Sequence, residues 1–568
     1  MAELLEEYYD ILFNRYSIDA LYKLKQNPYI LLDDTDDTTP FVCDRIAKFL
    51  GMKYNEPVRL CSLIRYIFSS VLSGGDIGIY TNELTEKFVK YKEVFDKYPT
   101  KEELLRVINN DMKEKLLYLE DKDIIVDKTM YENENEIVRQ LNRIKTAKIA
   151  PLDFDKGKSD AVLKELGMTD ISEDKYKAII NISSNNISLI TGGAGTGKST
   201  LITIIRRLCE TYGKLKIEVC APTGKAANNI ENGSTVNSLL NYNPFKGNPT
   251  KNQIDADIVL LDEASMLDTD LAVEFLTSIK SGSRLIMVGD KNQLPPVDGG
   301  QVFADMLNSE CFACCTLETI HRQEKESSII TNSQKIIRGE TDFICDDSFR
   351  IIKCKDEDIM KKTLIDEVSA LFDKNDPFAV QIIAPYNNGK TGVNSLNYAL
   401  QKVLNDNKQE TKIGMMVFRK GDKVVFSKSR FFNKDNKKDD KEDGERITRY
   451  TNGQTGTIIE AVQHPRTIEV KKSDEKVSRL RYNDIVSGDV SLAYAMTIHK
   501  SQGSQFNDVF VVLPKRNNDF VSRSLLYTAV TRAKKRITIL YSGDEVKNAV
   551  LRDKSRLTFL KEKIESNR

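Results

Sequence analysis

The chain has 568 residues, the length of about four domains at roughly 150 residues each. Hydrophobic residues at 40% and charged residues at 30% supply several cores and exclude a mainly disordered chain. Lys plus Arg and Asp plus Glu both number 84, so whole-molecule attraction to a polyanion is excluded and any nucleic-acid site is a local groove.

Residues 1 to about 150 read as mostly helical. Thr100-Lys101-Glu102-Glu103 is a capping-box pattern, and Leu104, Leu105, Ile108 and Met112 follow it at helical spacing. Leu117–Glu120 and Ile124–Val126 flank Asp121-Lys122-Asp123 as a plausible hairpin. Helix, helix, hairpin is the order of a winged-helix module, suited to DNA or protein contact; a purely structural module fits equally well. No apolar run approaches the length of a membrane span. The start Met1–Glu7 is acidic and lacks the basic region of a signal peptide. Nine cysteines, sparse and odd in number, fit a reducing, cytoplasmic setting.

From about 180, continuous apolar runs alternate with helical stretches: Ile187–Thr191, Ile258–Leu261, Leu285–Val288, Gln381–Ala384, Val509–Leu513 and Ile537–Tyr541. Such runs predict parallel sheets covered on both faces. Their spread exceeds one sheet, which predicts two α/β domains. Within the second, Lys423–Phe426, Gly456–Ile459 and Thr467–Val470 predict a small inserted β-barrel, with a charged, solvated loop over Asn433–Arg446. Cys311, Cys314 and Cys315 with His321 nearby lack a second ligand pair for zinc and read more simply as a buried stretch entering a strand.

Gly192-Gly193-Ala194-Gly195-Thr196-Gly197-Lys198-Ser199 follows a predicted strand and opens a predicted helix, Leu201–Leu208, the context that a phosphate-binding loop requires. Its glycines let backbone N–H groups close on phosphate oxygens at a helix N-terminus. Lys198 would reach the β- and γ-phosphates and the Ser199 hydroxyl would ligate Mg²⁺, with Thr200 completing the nucleotide contacts. Asp262-Glu263 ends the strand Ile258–Leu261. Asp262 would hold Mg²⁺ through water, and Glu263 would polarise the attacking water. A nucleoside triphosphatase using ATP and Mg²⁺ follows, of a kind these residues leave open.

Further blocks narrow it: Cys220-Ala221-Pro222-Thr223-Gly224-Lys225-Ala226-Ala227, Val288-Gly289-Asp290-Lys291-Asn292-Gln293-Leu294-Pro295-Pro296-Val297, Ile320-His321-Arg322-Gln323, Leu492–Gly503 and Leu526–Lys534. In order and spacing, over about 172–545, the chain resembles the superfamily 1 helicases and, within them, the RecD-like 5′→3′ DNA helicases. Asn27-Pro28-Tyr29, Asp44-Arg45-Ile46-Ala47 and Leu50-Gly51 resemble the pre-helicase region of the longer RecD-like proteins, with most of their paired helix-hairpin-helix segment expected to be missing.

The resemblance implies an α/β fold with two RecA-like P-loop domains, an inserted SH3-like β-barrel and a mainly helical N-terminal domain. The implied division is 1–150 helical, winged-helix-like; 151–315 domain 1A, with a duplex-splitting hairpin at about 241–256; 316–410 and 489–550 domain 2A; 411–488 domain 2B; and 551–568 a tail. It implies Gln293 as γ-phosphate sensor and Arg322 and Arg532 as arginine fingers, whose planar guanidinium suits a transferring phosphoryl group. Thr223, Asn452, Thr497, His499 and Lys500 take the places of DNA contacts, although His499 reads equally as a core histidine and Asn452-Gly453 as a plain turn. The implied partners are single-stranded DNA and its junctions with duplex, with protein partners through the N-terminal region and no membrane. Lys175 stands where the family has a glutamine that reads adenine; lysine donates but cannot accept, which predicts weakened selection of ATP. His321 and Gln505 also depart from the family. The alternative reading is an ATP-driven motor or regulatory subunit that works only within a larger DNA-processing complex. A nuclease reading rests on Glu469-Val470-Lys471 alone, a triplet that fits a barrel strand.

Overall fold

The computed structural model describes residues 13, 17–34, 40–89, 97–168, 171–240, 253–319, 327–414, 416–428, 430–433, 446–516 and 518–567. The duplex-splitting hairpin, the charged loop, His321 and Arg322 fall largely or wholly outside them.

The N-terminal core is built on the helix Pro57–Ser73, which opens with Pro at its first turn, where the missing N–H costs nothing. Its buried Arg59 reaches Asp44 through two hydrogen bonds of 2.7 and 2.5 Å, and Tyr29 donates to the same carboxylate. This pairing satisfies a charge that burial would otherwise penalise. Then come β1 (Gly78–Tyr80), the helices Thr81–Val89 and Lys101–Asp111, β2 (Leu116–Leu119) and β3 (Ile124–Asp127). The predicted capping box is formed: Thr100 accepts from Glu103 N and Glu103 from Thr100 N. The hairpin β2–β3 gains β1 as a third strand, in the order β1-β3-β2. Helix, strand, helix, helix, hairpin is winged-helix topology. The second helix of the pair exposes Glu102, Arg106 and Asp111, charges of both signs.

The helix Lys128–Lys145, read in the sequence with the N-terminal region, buries Ile137, Leu141 and Ile144 in the core of the first α/β unit. That unit is a six-stranded parallel sheet of β4 (Ile187–Gly192), β5 (Ile217–Ala221), β6 (Ser234–Thr235), β7 (Ile258–Leu261), β8 (Arg284–Gly289) and β9 (Ala313–Leu317), ordered β6-β5-β7-β8-β4-β9. β4, β7 and β8 are buried along their whole length, which is why they read as unbroken apolar runs. β9 leaves Cys314 exposed and Cys315 buried, since neighbours on a strand point to opposite faces.

The second unit pairs β10 (Phe349–Cys354) and β11 (Val380–Ala384) with strands from much later in the chain. Between them lie β12 (Glu410–Ile413), β13 (Met416–Arg419), β14 (Lys423–Phe426), β15 (Arg430–Asn433), β16 (Arg446–Tyr450), β17 (Thr455–Val462), β18 (Thr467–Lys472), β19 (Val477–Arg481) and β20 (Val490–Leu492). These form an antiparallel sheet β19-β18-β17-β14-β20 and two ribbons, β12-β13 and β15-β16. The insert has its own core around Phe418, Phe426, Tyr450 and Ile468. The chain returns through β21 (Ala495–Thr497), β22 (Phe506–Leu513) and β23 (Ala533–Ser542) to complete a parallel sheet, β10-β23-β22-β11-β21. Among the described residues no helix is long and apolar enough to cross a membrane.

Candidate active site

The loop after β4 turns through left-handed Gly195 and Gly197, at φ 81° and 82°, a region that glycine enters without a Cβ penalty. Gly192 has no room for a side chain: a Cβ there would lie 2.6 Å from Thr196 Oγ1. The helix Lys198–Leu208 starts at once, and the Lys198 ammonium donates to the carbonyls of Gly192 and Gly193 at 2.5 and 3.0 Å. The loop, Lys198, Ser199, Thr200, Asp262, Glu263 and Gln293 line one cleft of about 1000 Å³, together with Arg532 from the second unit.

The carboxylate wall is under tension. Glu263 sits at φ 51°, a left-handed conformation that costs a non-glycine residue roughly 1–3 kcal/mol and persists where the surroundings impose it. Its Oε2 is buried without a hydrogen-bond partner, as is Gln293 Oε1. Asp262 accepts from Glu263 N at 2.8 Å. Burial, then the Glu263 charge, pushes the Asp262 carboxyl well above the usual range. Two carboxyls so placed, beside the Ser199 hydroxyl and with a buried oxygen to spare, fit a hard divalent cation with oxygen ligands, which would relieve both the burial and the repulsion.

The opposite wall is fully bonded. Arg532 is 3% exposed and donates to Thr528 O, Ser504 O and Thr531 Oγ1 at 2.9, 3.1 and 3.0 Å. Burial lowers its pKa, against the opposing pull of Glu263 and Asp290. Residues of the preceding helix Arg523–Val530 dock onto the first unit. Tyr527 donates to the buried Asp290 Oδ2 at 2.8 Å and meets the Ala194 backbone. Leu294 N donates to Thr528 Oγ1 at 2.8 Å, and Gln502 Nε2 donates to Leu294 O at 3.2 Å. Sequence reasoning passed over Asp290, Tyr527 and Thr528, although all three stand inside the quoted blocks. The signal was a buried Tyr and Asp in apolar surroundings, which must find partners.

Lys225, which lines the cleft, and Lys423 lie 5.2 and 6.0 Å from the Phe506 ring. Lys423 is 1% exposed and donates to Val380 O at 2.8 Å. Burial, then the Lys225 charge, pushes it down to about 7. Burial, then Arg532, pushes Lys225 down to about 8.

Local contacts link several of the residues expected to meet DNA. A Cβ on Gly224, next to Thr223, would stand 2.8 Å from Thr451 and 3.2 Å from Asn452 O. Gly453 N donates to Phe426 O, and Lys500 Nζ donates to Ser427 Oγ at 3.3 Å. The side chains of Thr223 and Thr497 cap their own turns, accepting from Ala226 N and Lys500 N. His499 is half-buried 6.0 Å from the Phe520 ring; burial, then Arg556, lowers its pKa. Lys175 lies outside the cleft lining, 1% exposed, donating to Ser172 Oγ at 3.0 Å.

Three family models match: an AAA domain over residues 171–355, a UvrD-like helicase C-terminal domain over 492–540, and an ATP-dependent RecD2 DNA helicase HHH domain over 3–77. The last match puts helix-hairpin-helix sequence where most of it was expected to be missing. The chain is 28% identical to the ATP-dependent RecD2 DNA helicase of Deinococcus radiodurans over 72% of its own length and 55% of the relative's. It therefore spans about half of that protein. It is 27% identical to the RecBCD enzyme subunit RecD of Mycobacterium tuberculosis, over 71% of this chain and 75% of that one. A Pif1 helicase from Bacteroides, solved with ADP-AlF3 and single-stranded DNA, aligns at 20% identity and TM-score 0.43, over 68% of this chain and 95% of that one. In its matched domains and relatives, the chain is similar to the RecD-like helicases.

Proposed function

We propose that the chain is an ATP-dependent DNA helicase that translocates 5′→3′ on single-stranded DNA and separates duplex ahead of it. The observation that carries this reading is one cleft lined from both sides, by Lys198, Asp262, Glu263 and Gln293 on the first unit and Arg532 on the second. A nucleotide held between two α/β units converts its own turnover into their relative displacement. The reading divides the molecule into 1A (151–315), 2A (316–410 and 489–550), an SH3-like 2B (411–488), an N-terminal region and a tail.

In this scheme the loop from Gly192 to Thr200 holds the triphosphate, with Lys198 exchanging its loop carbonyls for phosphate oxygens. Ser199 and Asp262 are the residues to hold Mg²⁺, which when bound supplies charge neutralisation to the phosphates. Glu263 takes the proton of the attacking water. Gln293, bonded toward Asp290 and thereby toward Tyr527 of the second unit, reports the γ-phosphate across the cleft. Arg532 and Arg322 serve the transferring phosphoryl group. Thr223, Asn452, Thr497, His499 and Lys500 grip the strand through its phosphates, contacts that position without reading sequence.

Strand displacement on duplexes carrying a 5′ or a 3′ tail tests the reading. The expected result is unwinding of the 5′-tailed substrate only, lost in Lys198→Ala. Absence of unwinding by the isolated chain with DNA-stimulated hydrolysis intact would favour a motor subunit of a larger complex.

A further inference from the structure

The segment 551–568 was read as a tail, yet it bridges three parts of the molecule. After the helix Glu545–Leu551 the chain leaves the second unit with Arg552 paired to Glu545 and Asp519 at 3.0 and 3.1 Å. It then crosses to the first unit. There Arg556 enters the loop that follows Gln293, donating to the carbonyls of Pro296, Asp298 and Gly300 at 2.5, 2.9 and 2.6 Å. A planar fork can bridge three carbonyls of one loop in a way that an ammonium cannot.

The N-terminal region closes the other side. Gly75, at φ 88°, packs so closely that a Cβ would lie 2.0 Å from Arg556 Cζ, a position open only to glycine. Gly75 O accepts from Gly300 N at 3.0 Å, Asp76 Oδ1 from Leu557 N at 2.8 Å, and Leu557 O from Ile77 N at 3.0 Å. Phe559 then buries with Ile77, Ile124 and Val126. The helix Leu560–Ser566 contributes Leu560 and Ile564 to the first unit's core. Lys563 meets Glu134 at 3.1 Å. The near end of the same loop is already fixed to the second unit through Leu294, Thr528 and Gln502.

We propose that Arg556 is a positioning residue of the motor: it holds loop 296–300 between the N-terminal region and the strap from the second unit, and so keeps Gln293 in register for coupling ATP turnover to DNA. This rests on the function proposed above, and deepens it by adding a tether that acts on the sensor from outside the cleft. The bonds involved are backbone carbonyls of the loop, so the effect belongs on coupling and not on nucleotide affinity.

The full chain contains no tryptophan, and Val297 at the loop tip is 61% exposed. Val297→Trp therefore reports the loop alone. In that background, Arg556→Ala is expected to raise acrylamide quenching about twofold, as a loop released from three hydrogen bonds gains local freedom. DNA-stimulated kcat should fall about tenfold while KM for ATP stays within about twofold, the mark of an interaction made outside ground-state binding. Arg556→Lys should fall between the two. Unchanged quenching or unchanged DNA-stimulated kcat overturns the proposal, as does a loss that simply tracks the melting temperature across both variants. The wild-type chain separates the two readings: if DNA leaves its ATPase unstimulated, the motor assignment fails, while the quenching result still decides whether Arg556 holds the loop.

Discussion

The two walls of the cleft are built on opposite principles. The first-unit wall carries unspent bonding capacity: a strained Glu263 with a partnerless oxygen, a Gln293 carbonyl with none, and Lys198 bonded only to its own loop. The second-unit wall is closed on itself, with Arg532 donating to two carbonyls and a hydroxyl of its own unit. Buried, unsatisfied groups cost free energy until something binds them. The wall that pays this cost is therefore the one pre-set for phosphate and cation, whereas the arginine must exchange existing bonds to reach the phosphate. The first wall is poised and the second is conditional, a division suited to hydrolysis that waits on closure.

The sharpest break of this contrast is at Glu263. Glu263→Gln keeps the size, the backbone strain and one oxygen, and removes the proton acceptor. Steady-state hydrolysis should fall by about 10³-fold or more with nucleotide binding retained, the loss expected when a positioned base is removed with the rest of the site in place. Binding of a fluorescent ATP analogue alongside the turnover assay checks it. Retention of more than a tenth of the activity would remove Glu263 from the chemistry.

Arg532→Lys probes the conditional wall. Lysine keeps the charge but cannot make the three divergent bonds or present a planar fork to phosphate. The expected loss in kcat is about 10²-fold, with KM for ATP little changed, because the contact is made as the cleft closes. A rise in KM at constant kcat would mean that Arg532 touches nucleotide in the open state, and the contrast between the walls would dissolve.

Much of this was readable before any coordinates. The central strands β4, β7 and β8 are buried along their whole length and read as largely apolar runs, so β4 and β7 begin at the residues the pattern indicated and β8 one residue earlier, at Arg284. The phosphate loop and the Thr100 capping box are local, and local rules found them. Features set by distant packing stayed hidden. β1 is three residues long and exists by pairing with β3. Arg556 looks like any charged tail residue until Gly75 and the Pro296–Gly300 loop close around it. Lys423 sits in a strand whose alternation says nothing about a buried ammonium.

The buried ammonium sharpens the comparison. Lys423 is held to about 7 by burial in the fold, against about 10.5 for a solvated lysine. Between those values the unfolded chain carries the proton and the folded chain does not, so the group's destabilising effect grows as pH falls from about 10.5 to about 7 and is constant at its full size below that. Lys423→Met fills similar volume without charge. It should raise the melting temperature most near pH 6, by a free energy on the order of a few kcal/mol, with the gain shrinking toward pH 10. Calorimetric melts at the two pH values decide it: an equal effect at both would place the charge outside the buried pocket.

The smallest effect concerns the nucleotide base. Lys175, which the resemblance places where the family has a glutamine, has its ammonium buried and donating to Ser172 Oγ, with its pKa lowered by burial. A donor-only group in that place cannot match both the acceptor and the donor on the adenine edge. Lys175→Gln restores both functions on a side chain of similar reach and removes a buried charge. The ratio of kcat/KM for ATP over GTP should therefore rise about tenfold, the value of one hydrogen-bonded discrimination of about 1.4 kcal/mol. Parallel turnover measurements with the two nucleotides give the ratio directly. A wild-type chain that already prefers ATP strongly would mean that selection lies with residues lining the cleft itself, and that Lys175 is a buried support for the start of its helix.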